Sequence, residues 1–149
     1  MRYSDFVNMK PDNIVEMHQE TWLIYKSIKT GTEVRLPLYL LFSGKGILIL
    51  NKYQANLQDF FHLRDNSNVN KELIIIARLA GVAKKVSFHT ARHTNATLLI
   101  YNGVNITTVQ KLLGHKSVKT TQIYTNVMDA TIISDLEKNH SSVHRKKGK

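Results

Sequence analysis

Three short motifs in the second half of the chain carry side chains that can act in acid–base or nucleophilic chemistry. The first is His-Thr-Ala-Arg-His, which supplies His89, Arg92 and His93 near the predicted start of a helix. The second is Leu-Leu-Gly-His, which ends at His115, and Tyr124 follows nine residues later. Residues three and four apart share one helix face, and cations at a helix N-terminus are repelled by its dipole unless an anion binds there. Several cationic donors grouped with one phenol are what attack of a tyrosine on a phosphodiester would need.

The balance of charge favours a polyanionic partner. The chain has 149 residues, with 21 Lys and Arg against 11 Asp and Glu, and therefore a net charge of +10. A protein this basic accumulates on polyanions because each contacted phosphate releases condensed counterions. Nucleic acid is the first partner to expect, and an anionic membrane surface is the alternative that charge alone leaves open.

Composition limits the class of protein further. Hydrophobic residues make up 42% of the chain, enough for one folded domain, and cysteine is absent, which excludes disulfides and thiolate metal sites. The longest apolar stretch, around residues 46–50, is too short to span a membrane, and the start of the chain lacks the apolar core of a signal peptide. We therefore expect a soluble, cytoplasmic protein that does not enter a membrane.

The pattern of apolar residues predicts a mainly α fold with a small antiparallel sheet. Residues 22–28 and 33–38 are strand-like, and the Lys-Thr-Gly-Thr turn between them predicts a β-hairpin. This hairpin is the only convincing sheet signal. Residues 4–9 resemble a short helical turn that Pro11 ends, and residues 42–68 are an ambiguous mixture of helix and loop.

Helices are predicted through most of the second half. Residues 69–80, 90–101 and 106–113 are expected to be helical. The last of these has Asn105 as its N-terminal cap and Gly114 as its end. These bounds place the three motifs at the ends of consecutive helices.

Two further helices are predicted before a basic tail. One is capped by Ser117 and leads to Tyr124, and the other covers residues 127–138. Four of the last five residues are Lys or Arg, so residues 139–149 are expected to form a solvated, disordered tail.

The order of these motifs resembles the tyrosine site-specific recombinase and phage-type integrase family. The segment Leu-Leu-Gly-His-Lys-Ser-Val-Lys-Thr-Thr-Gln-Ile-Tyr, which ends at Tyr124, is similar to the signature of that family. Arg2, in Met-Arg-Tyr-Ser-Asp, is similar to the family's first catalytic arginine, with Asp5 in place of its usual glutamate. Lys29, in the predicted hairpin turn, lies where the family places its catalytic lysine. The resemblance extends over nearly the whole chain.

The resemblance implies site-specific DNA recombination or integration. Tyr124 would attack a DNA phosphodiester, form a 3′-phosphotyrosyl link and release a 5′-hydroxyl. Arg2 and Arg92 would clamp the non-bridging oxygens, because a guanidinium matches phosphate geometry in two places. No cofactor and no metal are expected, since the cations in this scheme are side chains.

The remaining site residues are assigned in the same way. His115 would donate to the developing charge, Lys29 would protonate the leaving 5′-oxygen, and His89 would assist proton transfer. Lys26, on the same strand, and Lys45, in a loop, are alternatives to Lys29. The predicted DNA contacts are His93, Lys116 and Lys119.

The family pattern also implies a domain organisation and partners. Residues 1–138 are expected to be a recombinase catalytic domain that lacks its first helix and the N-terminal DNA-clamping domain. Double-stranded DNA is the implied partner, with self-association on DNA, as a tetramer in the family.

Two other classes of function stay open at this point. One is a non-catalytic relative that binds DNA as a remnant or a regulator. The other is a zinc site made of His89, His93 and His115, because histidines at i and i+4 can share a metal. The chain has no glutamate after His89 as in His-Glu-x-x-His, and the neighbouring arginines would repel a cation.

Overall fold

A computed structural model describes residues 1–125 together with Ile132 and Leu136. This part of the chain is mainly helical with a three-stranded antiparallel sheet, which confirms the predicted fold class. The helices are α1 (Tyr3–Phe6), α2 (Lys45–Lys52), α3 (Leu57–Phe61), α4 (Asn66–Leu79), α5 (Phe88–Tyr101) and α6 (Ile106–Leu113). The strands are β1 (Ile14–Met17), β2 (Glu20–Lys26) and β3 (Glu33–Pro37).

The sheet has the order β1-β2-β3, and the predicted hairpin is its β2–β3 half. The expectation of a single hairpin was wrong, because β1 also pairs with β2, with Ile14 opposite Leu23. The two residues of the β1–β2 turn, His18 and Gln19, have φ angles of 53° and 65°. Turns of that conformation favour Asn and Gly, so a His-Gln pair carries no recognisable turn signal.

Alternate side chains of the β2–β3 hairpin face the interior. Leu23 and Tyr25 of β2 and Val34 and Leu36 of β3 are buried, as the period of two along a strand requires. The other buried members of this first core are Met9, Leu38 and Phe61. The hairpin is therefore fixed to the helical part of the fold by one complete face.

A second core lies between α5, α6 and the turn that follows them. Its buried residues are Ala96, Val109, Leu113 and Tyr124. Leu112, the neighbour of Leu113 on α6, packs against the first core instead. Because α6 contributes to both cores, the residues directly after it have a fixed position relative to the sheet.

The bounds predicted for α6 are confirmed at both ends. The side-chain oxygen of Asn105 accepts a hydrogen bond from the Thr107 amide at 2.8 Å, which satisfies one of the free N–H groups of the first turn. Gly114 ends the helix in the left-handed conformation, with a φ of 64°.

The other predicted helices are present, with shifted bounds. The helices expected at residues 69–80 and 90–101 are α4 and α5, and both begin earlier because Asp65 and Ser87 cap them. The ambiguous segment 42–68 contains α2 and α3, joined by one 3-10 turn, Gln54–Asn56. The helical turn expected at residues 4–9 is the shorter α1.

The segment that leads to Tyr124 is not the single helix that was predicted. It consists of two 3-10 turns, Val118–Thr120 and Gln122–Tyr124, the first of them capped by Ser117. The break falls at Thr121, whose fully buried side chain bonds to the ring of His115. A tertiary hydrogen bond thus decides the local conformation.

The predicted helix at residues 127–138 and the predicted tail at residues 139–149 lie outside the described residues, apart from Ile132 and Leu136, which are helical and exposed. Within the described part of the chain, no helix has the length and apolar character needed to cross a membrane.

A close contact docks the end of α6 onto the hairpin. A Cβ atom at Gly114 would lie only 2.7 Å from Cγ2 of Val34, so the backbone approaches β3 more closely than a side chain would allow. The hydroxyl of Thr30 donates to the carbonyl oxygen of Gly114 at 2.8 Å. The turn that carries Lys29 and the turn that carries His115 are therefore held together.

Replacement of Gly114 by alanine is expected to lower the free energy of unfolding by more than about 2 kcal/mol, because left-handed strain and the clash with Val34 add. Gly81→Ala is the matched control, since Gly81 also has a positive φ, of 70°, but nothing lies within 4 Å of its Cβ position. That variant should lose only about 1 kcal/mol. Urea unfolding followed by circular dichroism measures both, and equal losses would contradict the close contact.

Candidate active site

Arg92, one turn into α5, is buried with only 5% of its surface exposed. Its Nη2 donates to the carbonyl oxygen of Leu113 at 2.6 Å and lies 3.1 Å from Nε2 of His115. Nη1 is also buried and has no hydrogen-bond partner among the described residues. Burial, and then the neighbouring charge of Arg2, lower the pKa of Arg92. The site therefore holds a charged donor that an anion would stabilise.

His115 is buried directly behind this guanidinium. Because an arginine only donates, Nε2 of His115 accepts from Arg92, and Nδ1 carries the proton and donates to the hydroxyl of Thr121 at 3.0 Å. Burial, followed by the charge of Arg92, lowers the pKa of His115 from 6.5 to about 4. The imidazole is thus neutral near pH 7 and fixed in one tautomer.

Tyr124 is buried in the second core, with 8% of its surface exposed. Its ring lies nearly parallel to the ring of His115, at a centroid distance of 6.5 Å and an interplanar angle of 8°. The ring of His93 lies on it at 5.1 Å. The structure therefore brings the predicted nucleophile together with His93 of α5 and with His115, which follows directly after α6.

Asp5 anchors Arg2 to the hairpin. Its buried carboxylate accepts hydrogen bonds from the amides of Arg2 at 3.1 Å and Ile28 at 3.0 Å, and from the hydroxyl of Ser27 at 3.2 Å. The side chain of Arg2 in turn donates to the Ser27 hydroxyl at 2.9 Å. Sequence reasoning assigned no role to Ser27, because a serine after a strand carries no signal of a tertiary partner.

Lys29 and His89 face a common cleft. Both are exposed, and together with Arg2 they line a cleft of about 430 Å³. Neither of the alternative lysines, Lys26 and Lys45, is among the described residues that line it. The cleft places a lysine ammonium, an imidazole and a guanidinium around one volume. Arg92, His115 and Tyr124 are not among the described residues that line it, so the structure does not bring Lys29 against the predicted nucleophile.

His93 is not a freely exposed surface residue, although it was predicted only as a DNA contact. Its Nε2 lies 2.6 Å from Nε2 of His89. The pKa of His89 is lowered by burial first, then by the neighbouring charges of His93 and Arg92. The two histidines form one unit beside Tyr124.

The two predicted lysine contacts lie outside this cluster. Lys116, directly after His115, and Lys119, in the first 3-10 turn, are both exposed. Both lie in the segment between α6 and Tyr124, with their side chains in solvent.

The geometry does not favour the zinc interpretation. His89 and His93 are adjacent, but both ring nitrogens of His115 are bonded to protein groups, Arg92 and Thr121. In addition, the guanidinium of Arg92 contacts the lone pair that would bind a metal. The three histidines are therefore not arranged as a shared ligand set.

Most of the sequence matches one known protein family. Residues 1–131 match the model of the Phage integrase family. This chain belongs to that family. The expected resemblance is thereby confirmed over most of the sequence.

Relatives in the integrase family are named tyrosine recombinases. The tyrosine recombinase XerC of Rickettsia bellii (strain OSU 85-389) is 41% identical over 141 residues, which cover 89% of this chain and 45% of that protein. The tyrosine recombinase XerD of Bifidobacterium longum (strain NCC 2705) is 51% identical over 61 residues, which cover 41% of this chain and 20% of that protein. This chain spans less than half the length of either relative.

Solved structures of recombinases share the fold. The crystal structure of XerA recombinase superimposes with a TM-score of 0.72 at 27% identity, covering 93% of this chain and 53% of that one. The XerH site-specific recombinase bound to difH substrate, in its pre-cleavage complex, superimposes with a TM-score of 0.66 at 20% identity, covering 95% and 42%. The predicted recombinase catalytic-domain fold is confirmed.

The neutral state of His115 predicts how stability depends on pH. Its folded pKa of about 4 lies below the usual 6.5, so the unfolded chain binds a proton that the folded chain excludes. Acidification from the unfolded to the folded pKa should therefore lower the free energy of unfolding of wild type. The loss should be on the order of 2 kcal/mol larger than in His115→Asn, which cannot bind this proton. Urea unfolding of both at neutral pH and near the lower value measures the difference. Parallel losses in the two proteins would contradict the neutral imidazole.

Proposed function

We propose that this chain is the catalytic portion of a tyrosine recombinase, which cleaves and rejoins DNA strands through a covalent link to Tyr124. The observation that carries the proposal is the buried Nη1 of Arg92, a charged donor without a hydrogen-bond partner among the described residues, in the same cluster as a buried tyrosine. A buried charged donor is costly unless an anion accepts from it. A DNA phosphate is an anion of suitable geometry for a guanidinium.

The surrounding charges support phosphate as the ligand. Arg2, Lys29 and His89 line the cleft, His93 is bonded to His89, and Asp5 is the carboxylate that contacts Arg2. Asp5 is one carboxylate against the positive charges of Arg2, Lys29 and Arg92, so the net charge of these four residues is positive. Electrostatic preorganisation of this kind stabilises charge that develops on phosphoryl oxygens.

The proposed cleavage is a transesterification, which exchanges one phosphate ester for another. The oxygen of Tyr124 attacks the phosphorus, a bond forms between them, and the bond from phosphorus to the 5′-oxygen breaks. The leaving oxygen takes a proton from Lys29, while His89 assists removal of the tyrosine proton. Religation is the reverse, in which a 5′-hydroxyl attacks and releases the tyrosine, so the bond energy is retained and no nucleotide cofactor is consumed.

The other site residues have supporting roles in this proposal. Arg2 and Arg92 hold the non-bridging oxygens. When the phosphate takes up the contact that Arg92 now makes with His115, the ring adopts the tautomer with its proton on Nε2, the Thr121 hydroxyl donates to Nδ1, and His115 donates from Nε2 to the developing charge. The additional DNA contacts are His93, Lys116 and Lys119. Two exposed lysines beside the nucleophile would add affinity through counterion release rather than sequence readout.

The remaining parts of the proposal concern the whole protein. Its partner is double-stranded DNA, at a specific recombination or integration site, with self-association into a tetramer on that DNA. Residues 1–138 are proposed as the catalytic domain, acting in the cytoplasm without a metal or another cofactor.

Tyr124→Phe is expected to abolish covalent linkage to DNA while it leaves DNA affinity unchanged, because only the attacking oxygen is removed. Tyr101→Phe is the matched control, since Tyr101 is an exposed tyrosine at the end of α5. The protein is mixed with a pool of labelled, nicked duplexes of random sequence and quenched in detergent. A protease-sensitive band of lower mobility should form with wild type and Tyr101→Phe, and be absent with Tyr124→Phe.

The same experiment separates the proposal from its main alternative. A band that persists in Tyr124→Phe would contradict the assignment of the nucleophile. Normal DNA affinity with no band in any lane would instead support a non-catalytic, DNA-binding member of the family.

A further inference from the structure

His93 makes two contacts that a simple DNA-binding residue does not need. Its ring lies 5.1 Å from the ring of Tyr124, at an angle of 57°. Its Nε2 lies 2.6 Å from Nε2 of His89, one helical turn earlier on α5. The side chain of His93 is therefore the physical link between the tyrosine and the histidine that borders the cleft.

The short contact between the two histidines restricts their protonation. A hydrogen bond between two imidazole nitrogens needs one proton, with one nitrogen as donor and the other as acceptor. If both Nε2 atoms carried protons, the two N–H groups would point at each other and the contact would break. The pair can therefore hold its geometry when it is neutral or singly charged, and not when it is doubly charged.

The groups around the pair oppose double protonation. Arg92 lies on the same helix as the pair. Arg2, which caps α1, and Lys29, in the hairpin turn, face His89. Tyr124 and His115 face His93 from the segment after α6. Arginine and lysine are positive at neutral pH, and His115 is neutral there because burial and Arg92 hold its pKa near 4. Two additional charges at the pair would be repelled by all three cations.

We propose that His93 is a positioning residue that holds the ring of Tyr124 against α5 and couples its position to the protonation of His89. The coupling rests on the proposed cleavage by Tyr124, because its functional consequence is the alignment of the attacking oxygen. Protonation of both histidines releases His93 and, with it, the tyrosine ring. Catalysis tolerates little misplacement of reacting groups, so the released state cleaves slowly.

Three substitutions separate the two contacts of His93. His93→Gln keeps a polar group that reaches His89 but does not titrate, His93→Phe keeps a ring against Tyr124 without the hydrogen bond, and His93→Ala removes both. We expect the rate of covalent linkage at saturating nicked duplex to fall about tenfold or more in the alanine variant. The glutamine variant should recover most of the loss, and the phenylalanine variant less. Thermal unfolding of each variant identifies any that fail to fold.

A second readout does not depend on cleavage. In the free protein, the NMR signals of the Tyr124 ring are followed from about pH 8 to about pH 4.5. The range extends below the usual histidine pKa because the pKa of His89 is lowered, and it ends above the pKa of about 4 of His115. The Tyr124 signals should shift with pH in wild type. In His93→Gln they should lose most of that dependence, because glutamine does not titrate and can bond to His89 in either of its protonation states.

The outcomes separate this inference from the proposed function. If wild type forms no covalent link, the proposed function fails, and the NMR titration alone decides the coupling. If the variants lose only DNA affinity and cleave at the wild-type rate at saturation, His93 acts solely as a DNA contact and its positioning role is overturned. Tyr124 signals that ignore pH in wild type would overturn it as well.

Discussion

Burial of the Arg92 charge is the constraint around which the site is built. Removal of a guanidinium from water costs several kcal/mol, and the protein offsets part of this through the Leu113 carbonyl and the Nε2 atom of His115. Both acceptors lie at the end of α6, so the same two bonds join α5 to the turn that precedes Tyr124. The offset is incomplete, because Nη1 has no partner within the described part of the chain. A buried arginine whose hydrogen bonds are nearly but not fully made is a suitable binding group for an anion.

A second set of contacts fixes the hairpin turn relative to α6 and α1. The glycine at position 114 lets the backbone approach Val34, and the Thr30 hydroxyl bonds to its carbonyl oxygen. On the other side of the hairpin, the buried carboxylate of Asp5 holds the backbone at Ile28 and at Arg2. The hairpin turn is thus tied to α6 and to α1 at once. Groups that lie far apart in sequence acquire a fixed geometry without a ligand, which is the condition for electrostatic preorganisation.

Local signals in the sequence account for much of this fold. The bounds of α6 were predictable because an asparagine cap and a glycine end act within a few residues of the helix they delimit. Strand β1 was not, since its turn is made by His18 and Gln19, whose side chains do not favour positive φ angles. The break at Thr121 was also missed, because it depends on a hydrogen bond to the His115 ring.

The candidate site follows the same division between local and tertiary information. The spacing of His89 and Arg92 on one helix face, and of His115 and Tyr124 after it, was sufficient to predict that they lie in one cluster. The partner of His93 is also local, at i−4, but periodicity cannot distinguish a histidine pair from an exposed basic face. The role of Asp5 in fixing the hairpin could not be predicted, because two of its three partners, Ser27 and Ile28, lie more than twenty residues away.

The central claim is that Arg92 is held ready for a phosphate oxygen, and side-chain NMR tests it without any substitution. The Nη resonances of Arg92 in the wild-type chain would be followed during a titration with inorganic phosphate. If Arg92 is held ready for phosphate, its resonances shift saturably, the resonances of Arg2 shift with them, and His115 stays neutral. Shifts confined to exposed lysines, with the Arg92 resonances unchanged, would contradict it.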